Sequence, residues 1–347
     1  MTHLSVLDLS PIAVGSNAGQ ALRASRDLAA HAERLGYLRF WMAEHHNMSG
    51  VASAAVAVAL AFVAEGTSTI RLGAGGIMLP NHAPLVVAEQ FGTLASLYPG
   101  RIDLGIGRAP GSDQITAGAL RRTLAGNIDD FPQDVLELIT YLGDPTPGQQ
   151  VHAVPGEGTR VPVYILGSST YGAQLAAAFG LPYAFASHFA PTDLDVALRL
   201  YRNGFRPSAH LQEPYVIVGL NVTAAPTDDE ALRLFSSSQQ SFVNLRTGRA
   251  GPLPAPLDDI KTHYPPQLHS MLDEIVERSV VGSPSTVAAG LAAFAARTQA
   301  DEIIVASQFF EPAHRVRSLE IVAEAGRALR ASGGTTVELA NTQGSLT

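Results

Sequence analysis

Short apolar runs of strand length alternate with longer segments of helical period along most of the sequence. Such alternation is typical of βα units arranged around a parallel sheet. Eight alternations favour a closed barrel over an open doubly wound sheet, which usually has five or six strands. The pattern therefore predicts an α/β fold, a (β/α)8 TIM barrel. Its predicted strands cover residues 4–9, 38–43, 70–78, 102–106, 163–166, 183–187, 215–223 and 302–306.

Helical periodicity fills the segments between these strands. Two helix starts carry matching signals: Thr227 precedes three acidic residues, and Ser283 precedes Pro284, where a missing N–H costs nothing. We predict one domain over residues 1–331, followed by a flexible tail, 332–347, rich in Gly, Thr and Ser. The predicted helices cover residues 18–35, 52–65, 84–98, 132–142, 170–179, 192–205, 228–245, 285–297 and 312–331.

Two segments do not fit a minimal barrel. Residues 109–130 follow strand 4, and the proline-rich residues 248–266 precede strand 8. Long irregular connections in compact domains are usually lids, binding loops or mobile segments. We therefore expect residues 109–130 to form a mobile lid and residues 248–266 to belong to an insertion.

Composition narrows the classes of partner. The chain has 347 residues, a net charge of −8 and no block of Lys or Arg, so neither nucleic acid nor an anionic membrane is an expected partner. The absence of cysteine excludes disulfides, thiolate metal sites and a thiol nucleophile. The N-terminus lacks the basic region of a signal peptide, and the most apolar segment, 51–64, is too short to span a bilayer and is expected to be a buried helix. A cytoplasmic location fits these features.

The second predicted strand ends in one acid and two adjacent imidazoles, Glu44, His45 and His46. TIM barrels keep their chemistry at the carboxyl ends of their strands, so these three residues are the catalytic candidates. His45 is the first choice for handling a proton and His46 the second, while Glu44 orients one of them. The alternative is that one histidine is a hydrogen-bonded core residue, since successive strand side chains point to opposite faces. No zinc-type histidine spacing occurs, and no metal is predicted.

Three glycines interrupt the apolar third strand: Gly73, Gly75 and Gly76. Glycines weaken a strand unless a bulge or a close approach of backbone is needed. A flat ligand ring pressed against the backbone would use that space. A bend of the barrel strand at these glycines explains the same pattern, and the sequence leaves both explanations open.

Other strand ends carry groups suited to an anion or a substrate. Arg108 follows strand 4, and a guanidinium can hold a phosphate with two hydrogen bonds, although a surface ion pair is the alternative. Gly167, Ser168 and Ser169 precede a helix, where free N–H groups attract anions, although ordinary capping is the alternative. His188 follows strand 6 and lines either the substrate site or the core.

Together these motifs resemble the bacterial luciferase-like flavin monooxygenases. The resemblance runs from about residue 4 to residue 329 and includes the glycine-rich strand followed by Leu79, Pro80 and His82. It also includes the Gly105-Ile106-Gly107-Arg108 turn, the Gly167-Ser168-Ser169 turn and the Glu44-His45-His46 strand end.

The resemblance implies a TIM barrel, usually dimeric, that binds reduced FMN or, in some branches, F420. It places a non-prolyl cis peptide at Gly75–Gly76, with Ala74 beside it among the cofactor-binding residues. It places the phosphate on Arg108, Ser168 and Ser169, with Gly167 also among the cofactor-binding residues, and it makes His45 the active-site histidine. Light-emitting relatives have a reactive cysteine where this chain has Gly107, so light emission is not expected.

The expected function is a monooxygenase that uses dioxygen and reduced FMN, supplied by a separate flavin reductase, on a small organic substrate such as an aldehyde or ketone. Two alternatives remain at this point. One is an F420-dependent dehydrogenase or reductase on the same barrel, and the other is a catalytically silent flavin-binding protein.

Overall fold

A computed structural model describes residues 2–109, 114–120 and 130–338. Eight strands form a closed parallel barrel in the order β6-β5-β4-β3-β2-β1-β9-β7, and β6 pairs with β7 to close it. All eight predicted barrel strands are confirmed. In chain order the strands are β1 His3–Asp8, β2 Arg39–Met42, β3 Arg71–Met78, β4 Ile102–Gly107, β5 Val163–Gly167, β6 Tyr183–Phe185, β7 Val216–Ala224, β8 Ser279–Gly282 and β9 Glu302–Ala306.

The strand β8 was not predicted and lies outside the barrel. It pairs in parallel with the end of β7 only, from Asn221 opposite Ser279 to Ala224 opposite Gly282. It lies between the predicted irregular segment, residues 248–266, and the last barrel strand. Two helices and a short 3-10 turn precede it, at residues 260–263, 269–277 and 266–268, so the first of these helices falls inside the predicted segment and the second follows it.

The helices surround the barrel, and most begin and end within a few residues of their predicted bounds. The Thr227 hydroxyl accepts a hydrogen bond from the Glu230 N–H at 3.2 Å, which confirms that helix start. The last helix continues to Glu338, beyond its predicted end at 331 and into the segment expected to be flexible. The helices are α1 Ala18–Leu35, α2 Val56–Ala64, α3 Pro84–Leu97, α4 Gln114–Leu120, α5 Phe131–Leu142, α6 Thr170–Phe179, α7 Leu194–Gly204, α8 Asp228–Arg246, α9 Ile260–His263, α10 His269–Glu277, α11 Pro284–Thr298 and α12 Pro312–Glu338.

The helix α2 corrects the expectation that residues 51–64 form a fully buried helix. It starts at Val56, and two of its apolar side chains face outward, with Val58 73% exposed and Phe62 39% exposed. An Ala/Val-rich sequence does not show which face of a helix is covered, because almost every position is apolar. Among the described residues, no helix is both long and apolar enough to cross a membrane.

The barrel interior contains a buried polar cluster near the start of the strands. Arg39 lies 2.8 Å from carboxylate oxygens of both Asp103 and Glu302, and all three side chains are almost fully buried. The same guanidinium donates to the hydroxyl of Tyr164 at 2.9 Å. Trp41 donates its indole N–H to Asp103 at 3.2 Å. Buried charges of this kind are tolerated only when they are paired, so the cluster joins strands β2, β4, β5 and β9.

Candidate active site

The carboxyl ends of the barrel strands bring the predicted site residues to one end of the molecule. Glu44, His45 and His46 follow β2, Arg108 follows β4, and Ser168 and Ser169 follow β5. His188 follows β6. The strands from β2 to β6 are consecutive neighbours around the barrel, so these residues form an arc around its mouth.

Glu44 forms the centre of a hydrogen-bonded group of three side chains. Its Oε1 atom lies 2.6 Å from Nε2 of His46 and 2.8 Å from Nε2 of His82. Its Oε2 atom accepts the N–H of Met78 at 3.1 Å. The carboxylate is 1% exposed, whereas His46 and His82 keep 18% and 27% of their side-chain surface exposed. The buried Glu44 carboxylate therefore orients two imidazoles that are more exposed than itself.

The surroundings of Glu44 keep this carboxylate ionised. Burial alone would raise its pKa, but the hydrogen bonds and charge of His82, the hydrogen bond from His46 and the N–H of Met78 together lower it. An ionised carboxylate is an acceptor only, so each imidazole presents an N–H at Nε2.

His82 was not among the predicted site residues, although it belongs to the motif that carries the family resemblance. It follows β3 after a short 3-10 turn, Leu79–Asn81. The ligand atoms of Glu44, His46 and His82 lie within 4.8 Å of one another, a spacing that metal ligands also show. The sequence expectation that no metal binds therefore remains a prediction.

His45 lies outside this hydrogen-bonded group and near His188. It lies close enough to His188 to lower the pKa of that imidazole, and β2 and β6 stand on opposite sides of the barrel. The buried Nδ1 atoms of both histidines have no hydrogen-bond partner among the described residues. His45 and His46 are thus separated, as the alternation of strand side chains predicts. His45 lies near His188, whereas His46 is hydrogen-bonded to Glu44.

The imidazoles of His45 and His188 both favour their neutral form. Burial, together with the smaller effect of nearby His45, lowers the pKa of His188 to about 4. Burial also lowers the pKa of His45, and its neighbour Glu44 opposes that shift. At neutral pH these imidazoles can accept a proton or share a hydrogen bond without carrying charge.

The position of His188 depends on a glycine in β7. A Cβ atom at Gly219 would stand 2.2 Å from Nδ1 of His188, a distance that no real pair of atoms tolerates. The side-chain amide of Asn221 holds the backbone carbonyl of His188 at 2.6 Å. His188 therefore packs against β7, where its ring lies over Gly219 and its carbonyl is bound by Asn221.

Arg108 lies beside the start of α6. Its guanidinium carbon stands 4.0 Å from the ring centre of Tyr171, the second residue of that helix. Across residues 2–109, 114–120 and 130–338, the guanidinium has no hydrogen bond and no carboxylate partner. The ion-pair alternative is therefore excluded within the described part of the chain. The N–H groups of the Arg108 guanidinium have no acceptor there.

Ser169 precedes α6 in the N-cap position, with extended backbone, but its side chain makes no capping hydrogen bond. The capping alternative is therefore wrong for this residue. The hydroxyl of Ser169 and the first N–H groups of α6 are available to an anion next to Arg108. The hydroxyl of Tyr183 donates to the Ser169 carbonyl at 3.2 Å and steadies this turn.

The peptide bond between Gly75 and Gly76 is cis, and the register between β3 and β4 shifts there, which confirms the bulge. The lack of side chains has a local explanation. A Cβ at Gly75 would lie 2.7 Å from Leu7, and one at Gly76 would lie 2.7 Å from the carbonyl oxygen of Gly105. Barrel packing by itself thus requires glycine at both positions. The ligand-ring reading is not needed to explain them.

Part of the predicted lid is described, and it is helical. Helix α4 lies within residues 109–130, whereas residues 110–113 and 121–129 of that prediction lie outside the described residues. The side-chain amide of Asn47 donates to the Thr116 hydroxyl at 3.0 Å. This contact ties α4 to the residue that directly follows His46.

The fold and site together define a parallel (β/α)8 barrel that has, at its carboxyl end, an arginine beside an uncapped helix start and a group of imidazoles. A profile of the luciferase-like monooxygenases matches residues 2–302. A luciferase-like monooxygenase of Escherichia coli (strain K12) is 52% identical over 317 residues, covering 91% of this chain and 95% of that protein. The crystal structure of apo-MsnO8 matches with a TM-score of 0.87 and 36% identity, covering 94% of this chain and 99% of that one. The chain therefore belongs to the luciferase-like monooxygenase family.

Two more distant structures share the fold. One is the oxygenating constituent of 3,6-diketocamphane monooxygenase in complex with FMN, with a TM-score of 0.68, 19% identity and coverage of 93% and 96% of the two chains. The other is an F420-dependent secondary alcohol dehydrogenase, with a TM-score of 0.60, 16% identity and coverage of 93% and 98%. At these identities the likeness concerns the fold alone.

Proposed function

We propose that this protein is a flavin-dependent monooxygenase that uses reduced FMN and dioxygen to oxidise a small organic substrate such as an aldehyde or ketone. The observation that carries the proposal is the open guanidinium of Arg108 beside the uncapped start of α6, at the same barrel end as the imidazoles. A phosphate is the ligand that this pairing of Arg and helix N-terminus suits best.

The residues present fit an FMN phosphate and a ring beside it. Arg108, Ser168 and Ser169 would hold the phosphate, with the backbone of Gly167 next to them. Residues 74–76 (Ala74, Gly75 and Gly76) would lie beside the ring, as the family resemblance implies. Reduced FMN, when bound, supplies the electrons that activate dioxygen.

The other residues have roles that follow from their positions. His45, buried and neutral, accepts or returns a proton on the pocket axis. Glu44 orients His46 and His82 through its shared oxygen. His188 lines the substrate side of the pocket across from His45. The segment 109–130, which includes α4, acts as the lid that keeps water from the site.

The proposal extends to partners and location. A separate flavin reductase supplies the reduced FMN, the protein forms a homodimer, and it works in the cytoplasm with no nucleic-acid or membrane partner. The reductase and the homodimer are what the family resemblance of the sequence motifs implies. The net charge of −8 agrees with the absence of a nucleic-acid partner.

The rival cofactor is F420, because an F420-dependent secondary alcohol dehydrogenase has the same fold. Reconstitution separates the two. The protein is mixed anaerobically with reduced FMN or reduced F420, binding is measured, and oxygen uptake and substrate oxidation are followed after air is admitted. Binding of reduced FMN and oxygen-dependent product from a panel of aldehydes and ketones are expected.

Two results would contradict the proposal. Hydride transfer with F420 and without oxygen would identify a dehydrogenase or reductase. Oxygen uptake equal to that of free reduced FMN, with no product from any substrate, would identify a catalytically silent flavin-binding protein.

A further inference from the structure

Tyr171 stacks on Arg108, a contact that neither the motifs nor the family match assigns. The guanidinium carbon stands 4.0 Å from the ring centre, well inside the range of about 6 Å in which a cation gains from an aromatic face. The two residues come from separate elements: Arg108 directly follows β4, and Tyr171 lies in the first turn of α6.

The stacking covers a face of the guanidinium and leaves its edge open. A planar guanidinium donates through its edge, whereas its face can rest on an aromatic ring. Among the described residues no acceptor meets that edge, although this protein carries a net charge of −8. Tyr171 therefore restrains Arg108 without using any of its donors.

We propose that Tyr171 is a positioning residue for the cofactor phosphate. It holds the guanidinium at the start of α6, next to the hydroxyl of Ser169, so that the edge faces the site of the phosphate. A long, flexible arginine would otherwise lose more side-chain entropy when it binds. The inference rests on the proposed function, because it takes Arg108 to be a phosphate ligand.

A structural role is the competing explanation, since Tyr171 also packs against the apolar core. A purely structural tyrosine would affect all ligands alike. A positioning tyrosine affects only ligands with a phosphate, and only while Arg108 is present. Riboflavin, which has the same ring system as FMN without the phosphate, separates these cases.

The experiment measures dissociation constants of reduced FMN and reduced riboflavin by anaerobic equilibrium dialysis. It compares the wild-type protein with Tyr171→Leu, Tyr171→Phe, Arg108→Ala and the double variant Tyr171→Leu/Arg108→Ala. Tyr171→Phe keeps the aromatic face and is the matched control. Circular dichroism and thermal melting verify that every variant is folded.

Tyr171→Leu is expected to weaken FMN binding roughly threefold to thirtyfold, the effect of losing a cation–π contact. Riboflavin binding stays unchanged, and Tyr171→Phe stays within about twofold of wild type, since the ring is kept. In the Arg108→Ala background, Tyr171→Leu adds no further loss of FMN affinity, because the residue acts through Arg108.

Each other outcome has a distinct meaning. Equal weakening of FMN and riboflavin by Tyr171→Leu, or no weakening at all, overturns the positioning role. An additive loss in the double variant does so as well. If Arg108→Ala itself leaves FMN affinity unchanged, the phosphate assignment in the proposed function fails, which is a different result from failure of Tyr171 alone.

Discussion

The Nε2 atom of His82 lies 2.8 Å from Oε1 of Glu44, although 38 residues separate them in the sequence. Glu44 follows β2 and His82 follows β3, so the contact joins two neighbouring strand ends. His46 shares the same oxygen at 2.6 Å. Glu44 is therefore the residue on which the orientation of both imidazoles depends.

Replacing Glu44 with alanine is expected to destabilise the fold. The change leaves the Met78 N–H and two imidazole N–H groups without their acceptor, and an unsatisfied buried polar group costs about 1–3 kcal/mol. Urea unfolding at pH 7 measures the difference. Glu44→Gln keeps one acceptor oxygen and the side-chain volume, so its loss should be smaller. Equal stability of Glu44→Ala and wild type would show that these contacts contribute nothing.

Stability is expected to fall with acid because of His188. Burial lowers the pKa of His188 to about 4, whereas an unfolded histidine titrates near 6.5. As the pH falls, the unfolded chain therefore binds this proton before the folded protein does. The stability that the neutral His188 contributes is fully present above pH 6.5 and is lost as the pH falls to 4. The total loss is on the order of 3 kcal/mol.

The measurement is urea unfolding between pH 4.5 and pH 8 in wild type and His188→Gln. The variant lacks the titrating ring, so its stability should depend less on pH within this window. His210→Gln, at an exposed position, is the matched control. Parallel pH profiles of wild type and His188→Gln would contradict the assignment.

The barrel was predictable from the sequence because its strands are apolar runs separated by helices of matching length. The strand β8 was not predictable, because three of its four residues are only half-buried. No alternation of apolar and polar residues and no long apolar run therefore marks it in the sequence. The close packing that requires glycine in β3 could be anticipated. The residues that pack against these glycines, such as Leu7 against Gly75, could not be anticipated, because their positions depend on closure of the barrel.

The location of the candidate site was predictable from the sequence, but the contacts within it were not. Strand ends indicate which residues meet at the barrel mouth, and Glu44, His45, His46, Arg108 and Ser169 were found in this way. Pairings across the fold depend on register and rotamer, and sequence spacing does not carry that information. The links of His82 to Glu44 and of Tyr171 to Arg108 are of this kind.

Asp103→Ala is expected to be strongly destabilising. Asp103 is completely buried and forms ion pairs with Arg39 and Arg71. Its removal leaves Arg39 with Glu302 as its remaining carboxylate partner and Arg71 with none among the described residues. Breaking such a pair costs about 3–5 kcal/mol. The surface pair of Asp195 with Arg297 offers the matched control, and Asp195→Ala should cost less than about 1 kcal/mol. Similar losses in the two variants, measured by urea unfolding, would contradict the role of the internal cluster.

The last prediction concerns His45, a buried imidazole that lies near His188 and whose pKa is lowered by burial. If His45 handles the proton of the oxidation step, His45→Ala should fold and bind reduced FMN yet lose about 10²- to 10⁴-fold in substrate turnover, the usual range for one general acid or base. Oxygen would still react with the bound flavin. Hydrogen peroxide release should therefore rise while product formation falls.

Product formed per oxygen consumed is the deciding quantity, and His46→Ala is the comparison. His46 faces Glu44, so its removal should disturb the group of three side chains and lower stability or flavin binding more than coupling. Wild-type coupling in His45→Ala, with a collapse in His46→Ala, would transfer the proton-handling role to His46. Wild-type coupling in both variants would remove the end of β2 from the mechanism.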